Sequence, residues 1–317
     1  MTPLYEPDDS PPIRAAPTPL TPLSKLVPFT MSEPGDDALP VLIAVPHAGR
    51  AYTGELLAQM RDPQVVMKRL EDRYVDAVAL EAMRWVKASL LVAHAPRAMI
   101  DLNRSCEDVD WTMVSGRKNG KPQNSLENRR ARSGLGLVPR RLLGHGEIWR
   151  EHLTQEQLDS RIEAIHRPYH QALGKRLAQI RDQWGAALLI DLHSMPPLRA
   201  RDEAARGAEF VIGDRFGASC DPKIVLKGQE FLQSRGRLVA YNRPYSGGHV
   251  LSAHGLPRHG IHALQLEICR SIYLDPELDQ PNENLAAIGR LVGELALQLG
   301  EEVAVMGRSG FFAQAAE

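Results

Sequence analysis

The sequence predicts an α/β protein, with a mixed but mostly parallel central sheet flanked by helices. Two observations carry that expectation. Short, continuously apolar runs such as PVLIAVP (from Pro40) and ALLIDLH (from Ala187) have the composition of strands buried on both faces. Between them lie longer stretches with apolar residues at helical spacing, and strands alternating with helices are the pattern of a layered fold around a parallel sheet.

The elements follow in chain order. Residues 1–38 carry Pro3, Pro7, Pro11, Pro12, Pro17, Pro19, Pro22, Pro28 and Pro34, which break helices and leave no periodic apolar face, so this part reads as an extended or disordered arm. The ordered domain is expected to begin at Leu39, with PVLIAVP as its first strand. Asp72 to Ser89 places Val75, Val78, Ala79, Ala82, Met83 and Val86 at helical spacing, LLVAHA reads as a strand from Leu90, and AMIDLN as another from Ala98. Cys106 to Gly136 is polar, rich in arginine and dotted with glycine, the composition of a functional loop or lid. Thr154 to Trp184 carries one helical stripe, Leu158, Ile162, Ile165, Tyr169, Leu173, Leu177 and Ile180, interrupted at Pro168 and ended by Gly185. EFVIGD, RLVAYN and ALQLEI are strand-like, and a helix over 282–299 closes a single domain spanning 39–300, ahead of a weakly patterned tail at 301–317.

At 317 residues the chain is long enough for a full core. Its 38 Lys and Arg against 39 Asp and Glu give a net charge of −1, which supplies no long-range field for nucleic acid or an anionic membrane. The run Arg129-Arg130-Ala131-Arg132 with Arg140-Arg141 is a local positive patch, read as a solvated face or part of a lid. Cys106, Cys220 and Cys269 have neither paired nor metal-type spacing, which fits a reducing compartment, the cytoplasm. No signal-peptide-like segment or membrane span is expected, and the partner is expected to be a small molecule. The sequence does not set an oligomeric state.

Sites in such folds lie at the carboxyl ends of strands. His47 follows VLIAVP in a Pro-His-Ala-Gly turn, and His193 follows ALLI with Asp191 two residues before it, where a carboxylate can orient an imidazole. Two histidines after separate strands suit a catalytic zinc with one carboxylate and an open position. Glu71, Asp72 and Asp76 are the candidates for that carboxylate; Asp72 is favoured, against its alternative as a helix N-cap. Glu267 lies in an apolar strand, where an ionised carboxylate needs a cation nearby; it reads as the general base, or as the partner of Arg270. Asn103 with Arg104, and Arg97 and Arg243, are candidates for holding a substrate carboxylate, with Arg104 also stabilising charge during reaction; Gly247 and Gly248 can bring backbone amides to the same ligand.

Taken in order, PHAG, EDRYVD, APRAMIDLNRS, GLGLVPR, IHRPYH, LIDLHSM, NRPYSGGH and LQLEICRS resemble the N-formylglutamate amidohydrolase family over roughly residues 41–275. The resemblance implies a fold of the zinc-exopeptidase (phosphorylase/hydrolase-like) type, related to the zinc carboxypeptidases and aspartoacylase. It implies zinc-dependent hydrolysis of an N-acyl amino acid, a small anionic substrate, with N-formyl-L-glutamate going to formate and glutamate as in histidine catabolism. His47 and His193 then stand as zinc ligands, Glu267 as base, and Asn103-Arg104 as the carboxylate-binding pair. The carboxypeptidases place a glutamate ligand three residues after the first histidine, where this chain has Arg50; EDRYVD resembles the family's acidic motif, which favours Asp72. A deacylase or carboxypeptidase for another N-acyl amino acid or peptide is the alternative, and a metal-free binding protein of the same fold a second.

Overall fold

The computed structural model describes residues 26–35, 38–115, 131, 133–198 and 207–314. The expected lid at 106–136 falls largely on 116–130 and 132, and Arg129, Arg130 and Arg132 with it, outside the described residues; so do 1–25 of the arm and 315–317. Among the described residues, the central sheet contains β1 (Phe29–Ser32), β2 (Val41–Val45), β3 (Ser89–Ala93), β4 (Ala187–Met195), β5 (Phe210–Gly213), β6 (Val239–Tyr241) and β7 (Ile261–Cys269), in the spatial order β1-β3-β2-β4-β7-β5-β6. The pairs β1 with β3 and β7 with β5 are antiparallel and the others parallel. The helices are α1 (Gly54–Gln59), α2 (Pro63–Leu70), α3 (Val75–Ala82), α4 (Gln155–Arg161), α5 (Arg167–Trp184), α6 (Pro222–Ser234), α7 (His249–His254) and α8 (Leu285–Gln314). The mixed, mostly parallel sheet between helical layers is the expected fold.

Strand residues alternate between two cores, as the period of two requires. Leu42, Ala44, Leu189 and Ala263 meet Tyr169, Leu173 and Leu177 of α5 on one face. Val41, Ile43, Leu188, Ile190, Leu264 and Leu266 meet α3, α6 and α8 on the other, through Val78, Ile224, Val292 and Leu295. Both faces of β2, β4 and β7 are buried, which is why their sequences read as unbroken apolar runs.

Several boundaries differ from expectation. The arm contributes β1, an edge strand whose Phe29 stacks edge-on against Tyr169 at 5.7 Å between ring centroids; Pro28 and Pro34 flank it, as an edge tolerates. Helix α3 starts at Val75 because Tyr74 is left-handed (φ 55°), and Asp72 therefore caps no helix: its own N–H donates to the His47 carbonyl. AMIDLN is not a strand but a chain of turns, with the Met99 N–H on Pro96 O, the Arg104 N–H on Asp101 O, and the Asn103 N–H on the Asp101 carboxylate. The last helix continues to Gln314 rather than ending near 299. The stripe over 154–184 is indeed interrupted, by a π segment at Ile162–His166 just before Pro168, and Gly185 (φ 80°) ends it.

Gly49, in the turn after β2, lies so close to the backbone of residues 94–95 that a Cβ there would run into the carbonyl oxygen of Ala95. Gly49→Ala is expected to destabilise the protein by about 1–3 kcal/mol or more, the usual cost of overpacking, read as a lower urea midpoint with an unchanged slope. An unchanged midpoint would mean that the two backbone segments are free to separate.

Candidate functional site

The site grows out of a change of chemistry along two paired strands. On β4 the face that carries Ala187 and Leu189 continues as Asp191 and His193; on β7 the face of Ile261 and Ala263 continues as Gln265 and Glu267. The parallel register sets Gln265 beside Asp191 and Glu267 beside His193. Each strand is thus apolar at its amino-terminal half, where it packs on α5, and polar where the sheet opens at its carboxyl ends. There it meets a cavity of about 810 Å³, within the range of small-ligand sites.

Three side chains converge at the base of this cavity. His47, from the turn after β2, and His193, from β4, stack edge-on at 4.7 Å, and Asp72 reaches both. Asp72 Oδ2 lies 3.0 Å from His193 Nδ1 and 3.7 Å from His47 Nδ1. One ligand atom from each of the three lies within 4.8 Å of the others, and all three residues are buried. The far nitrogen of each imidazole is held by a carboxylate: His47 Nε2 donates to Asp101 Oδ1 at 2.7 Å and His193 Nε2 to Asp191 Oδ2 at 3.0 Å. Such outer partners orient metal-ligating histidines and turn their other nitrogen inward. His47 Nδ1 is buried without a hydrogen-bond partner among the described residues. An orphaned buried nitrogen, a second imidazole and an ionised carboxylate, all facing one point, fit a divalent cation of the zinc type.

The electrostatics agree. Burial opposes ionisation of Asp72, but the two histidines outweigh it and hold its carboxyl well below the usual range. Asp101 is likewise held low against burial, by the Arg97 guanidinium, whose Nε lies 2.9 Å away, and by His47. Burial pushes Glu267 up to about 7, with His193 opposing the shift and the charge of Asp72 adding to it. Glu267 Oε1 accepts from Gln265 Nε2 at 2.8 Å.

The remaining acidic candidates are engaged elsewhere. Asp76 forms a two-point ion pair with Arg50, at 2.6 and 3.1 Å, and Glu71 pairs with Arg73 at 3.1 Å. Of the substrate-binding candidates, Arg97, Asn103, Arg104, Gly247 and Gly248 line the cavity, whereas Arg243 is exposed and is not among its lining residues. Asn103 Oδ1 accepts the Val250 N–H at 2.9 Å, which turns its amide nitrogen towards β4 and β7. A Cβ on Gly248 would stand 2.5 Å from that same oxygen, so glycine is required there for the two segments to meet. Sequence reasoning did not single out Asp101 or Gln265, noted Ser194 only within the run that follows ALLI, and gave Arg270 only as a partner for Glu267. Arg270 is buried beside the cavity and instead bonds Asp72 Oδ1 at 3.1 Å and Ser194 Oγ at 3.0 Å.

Comparison with known proteins places these features in context. A family model described as N-formylglutamate amidohydrolase matches residues 39–274. An N-formylglutamate deformylase of Pseudomonas putida is 32% identical over 242 residues, covering 75% of this chain and 82% of its own. The crystal structure of an N-formylglutamate amidohydrolase from Ralstonia eutropha JMP134 superposes with a TM-score of 0.78 at 30% identity, over 88% of this chain and 99% of that one. A gene product of Agrobacterium tumefaciens shares the fold, with a TM-score of 0.64 at 18% identity over 87% of this chain and 94% of that one.

Proposed function

Because the chain belongs to the N-formylglutamate amidohydrolase family, we propose that it hydrolyses N-formyl-L-glutamate to formate and L-glutamate, with a zinc ion held by His47, Asp72 and His193. The observation that carries this reading is the buried, unpartnered Nδ1 of His47, facing Asp72 and His193 with Glu267 on the neighbouring strand. When bound, the cation supplies positive charge that polarises the formyl carbonyl and acidifies water.

The chain's own residues do the rest. Glu267, with its carboxyl near 7, is poised to accept a proton from the attacking water and to return it to the amide nitrogen as the C–N bond breaks. Water thus supplies the hydroxyl of formate and the proton on the released amine. Asp101 and Asp191 keep the two imidazoles oriented throughout. The substrate carries two carboxylates; Arg97 and Arg104, with the amide of Asn103, line the cavity where they can receive them, by the charge-assisted hydrogen bonds guanidinium groups make. No described helix is long and apolar enough to cross a membrane, and the three cysteines are free, which supports a cytoplasmic enzyme.

The direct test is formate release from N-formyl-L-glutamate by zinc-loaded protein, alongside N-formyl-L-alanine and N-acetyl-L-glutamate, with and without chelator. Chelator-sensitive release that falls at least about tenfold when the side-chain carboxylate is removed is expected, roughly the worth of one charge-assisted contact. Release only from another N-acyl amino acid would move the substrate assignment. Release indifferent to chelation would overturn the metal.

A further inference from the structure

A second cluster of histidines lies behind Asn103, and the chemistry proposed above makes no use of it. The IHRPYH segment puts His166 and His170 one helical turn apart, and His249 arrives from the start of α7. Ring centroids are 4.4 Å apart for His166 and His170, 5.0 Å for His170 and His249, and 5.9 Å for His166 and His249. One ring nitrogen from each lies within 4.8 Å of the other two.

The hydrogen bonds fix the tautomers. His166 Nε2 lies 2.8 Å from the Arg104 carbonyl and His170 Nε2 lies 2.9 Å from the Leu102 carbonyl. A carbonyl only accepts, so both Nε2 atoms carry protons and, in the neutral rings, both Nδ1 atoms present lone pairs. A backbone carbonyl on the outer nitrogen is the arrangement that prepares a histidine to bind a metal. Burial favours the uncharged ring, and His249 and the neighbouring His254 are pushed down to about 4. Both lone pairs are met inside the protein, that of His166 Nδ1 by the Cys106 thiol at 3.1 Å and that of His170 Nδ1 by His254 Nε2–H at 2.9 Å, and these are the bonds a cation would replace. The π segment ends at His166, and single π turns inside helices occur often at functional sites.

We infer that His166, His170 and His249 form a second site for a divalent transition cation, separate from the His47–Asp72–His193 centre. Three imidazole donors select zinc, cobalt, nickel or copper and discriminate against magnesium and calcium, which require oxygen. Tetrahedral bonds of about 2.0–2.1 Å set donors roughly 3.3–3.4 Å apart, so small side-chain rotations complete the cage. The consequence reaches the cavity through the backbone. Three successive carbonyls, of Leu102, Asn103 and Arg104, accept from His170 Nε2, the His249 N–H and His166 Nε2. A cation joining the three histidines therefore braces the turn that presents Asn103 and Arg104 to a substrate.

The inference does not depend on deformylation, and cobalt(II) is a suitable probe for it. Metal-stripped full-length protein is titrated with Co2+ by equilibrium dialysis and by visible absorption, with circular dichroism confirming the fold. Two cobalt ions per wild-type chain are expected, one in His47→Ala/His193→Ala, and one in His249→Gln. The last variant keeps the backbone bond to Asn103 and removes only the imidazole. Mg2+ in tenfold excess should displace neither ion. A folded His47→Ala/His193→Ala protein that binds no cobalt, or a His249→Gln protein that still binds two, would overturn the second site. A wild-type protein that binds one ion, lost with His249→Gln but retained in His47→Ala/His193→Ala, would instead sink the first centre and leave the second standing.

Discussion

Glu267→Gln is expected to lower kcat by roughly 10²–10⁴-fold, the usual worth of a positioned general base, while zinc content after dialysis stays at the wild-type level. The amide has the shape of the carboxylate and can still accept from Gln265 Nε2, so its neighbours need not move. What it lacks is a site for the proton of water. The same substitution has a signature in stability. Burial raises the folded-state pKa of Glu267 from 4.5 to about 7. A group raised in this way contributes stability that is present below its unfolded pKa and lost as pH rises through the folded value. Metal-free wild-type protein should therefore lose part of its stability between about pH 4.5 and 7, and Glu267→Gln should flatten that slope. Thermal melts of chelated protein across that window, together with initial rates of formate release from the zinc-loaded form, test both halves. A variant with near-normal rate would remove Glu267 from the chemistry.

Asp72→Asn is expected to lose both zinc and turnover. The carboxylate is the common partner of His193 Nδ1 and Arg270, and the acid closest to the orphaned nitrogen of His47. Its loss also leaves the buried Arg270 guanidinium without its counter-charge, a change that typically costs about 3–5 kcal/mol. Zinc affinity should fall by more than the roughly 10–100-fold that loss of an outer partner costs, which is the effect expected of Asp191→Asn. Asp76→Asn, which breaks only the pair with Arg50 on the surface of α3, should keep zinc and rate. Metal content by mass spectrometry across this series orders the three acids directly. Full zinc in Asp72→Asn would return the third ligand to Glu71 or Asp76.

Much of this was legible in the sequence because it is written in alternation. ALLIDLH and ALQLEI announce strands by their apolar runs and announce the site by the polar residues at their ends, so His193, Asp191 and Glu267 follow from position alone. His47 follows in the same way from the end of β2. Pairings across long stretches of chain were not legible. Asp101 reaches His47 across 54 positions, and it does so from AMIDLN, whose alternating pattern suggests a strand although Asp101 folds the segment into turns. Arg243 and Arg270 both follow strand-like runs; only the fold exposes the first and buries the second against Asp72. Helices α1 and α2 are six and eight residues long, too short for helical periodicity to stand out. β1 was hidden by the prolines around it, which an edge strand accepts but which read as an arm.

The pairing of Glu267 with His193 on adjacent strands has an evolutionary consequence. The proposed base and the proposed metal ligand are neighbouring rungs of a ladder buried on both faces, so their separation is that of two hydrogen-bonded strands, about 4.8 Å, and no loop movement alters it. The walls are different: Leu142 and Leu143, from a short surface hairpin, and Tyr245 to Gly248, from a connecting loop, line the same cavity. Mutations that reshape those walls can change which acyl amino acid fits without disturbing how its bond is cut. Descendants of this scaffold should therefore diverge in diet long before they diverge in chemistry.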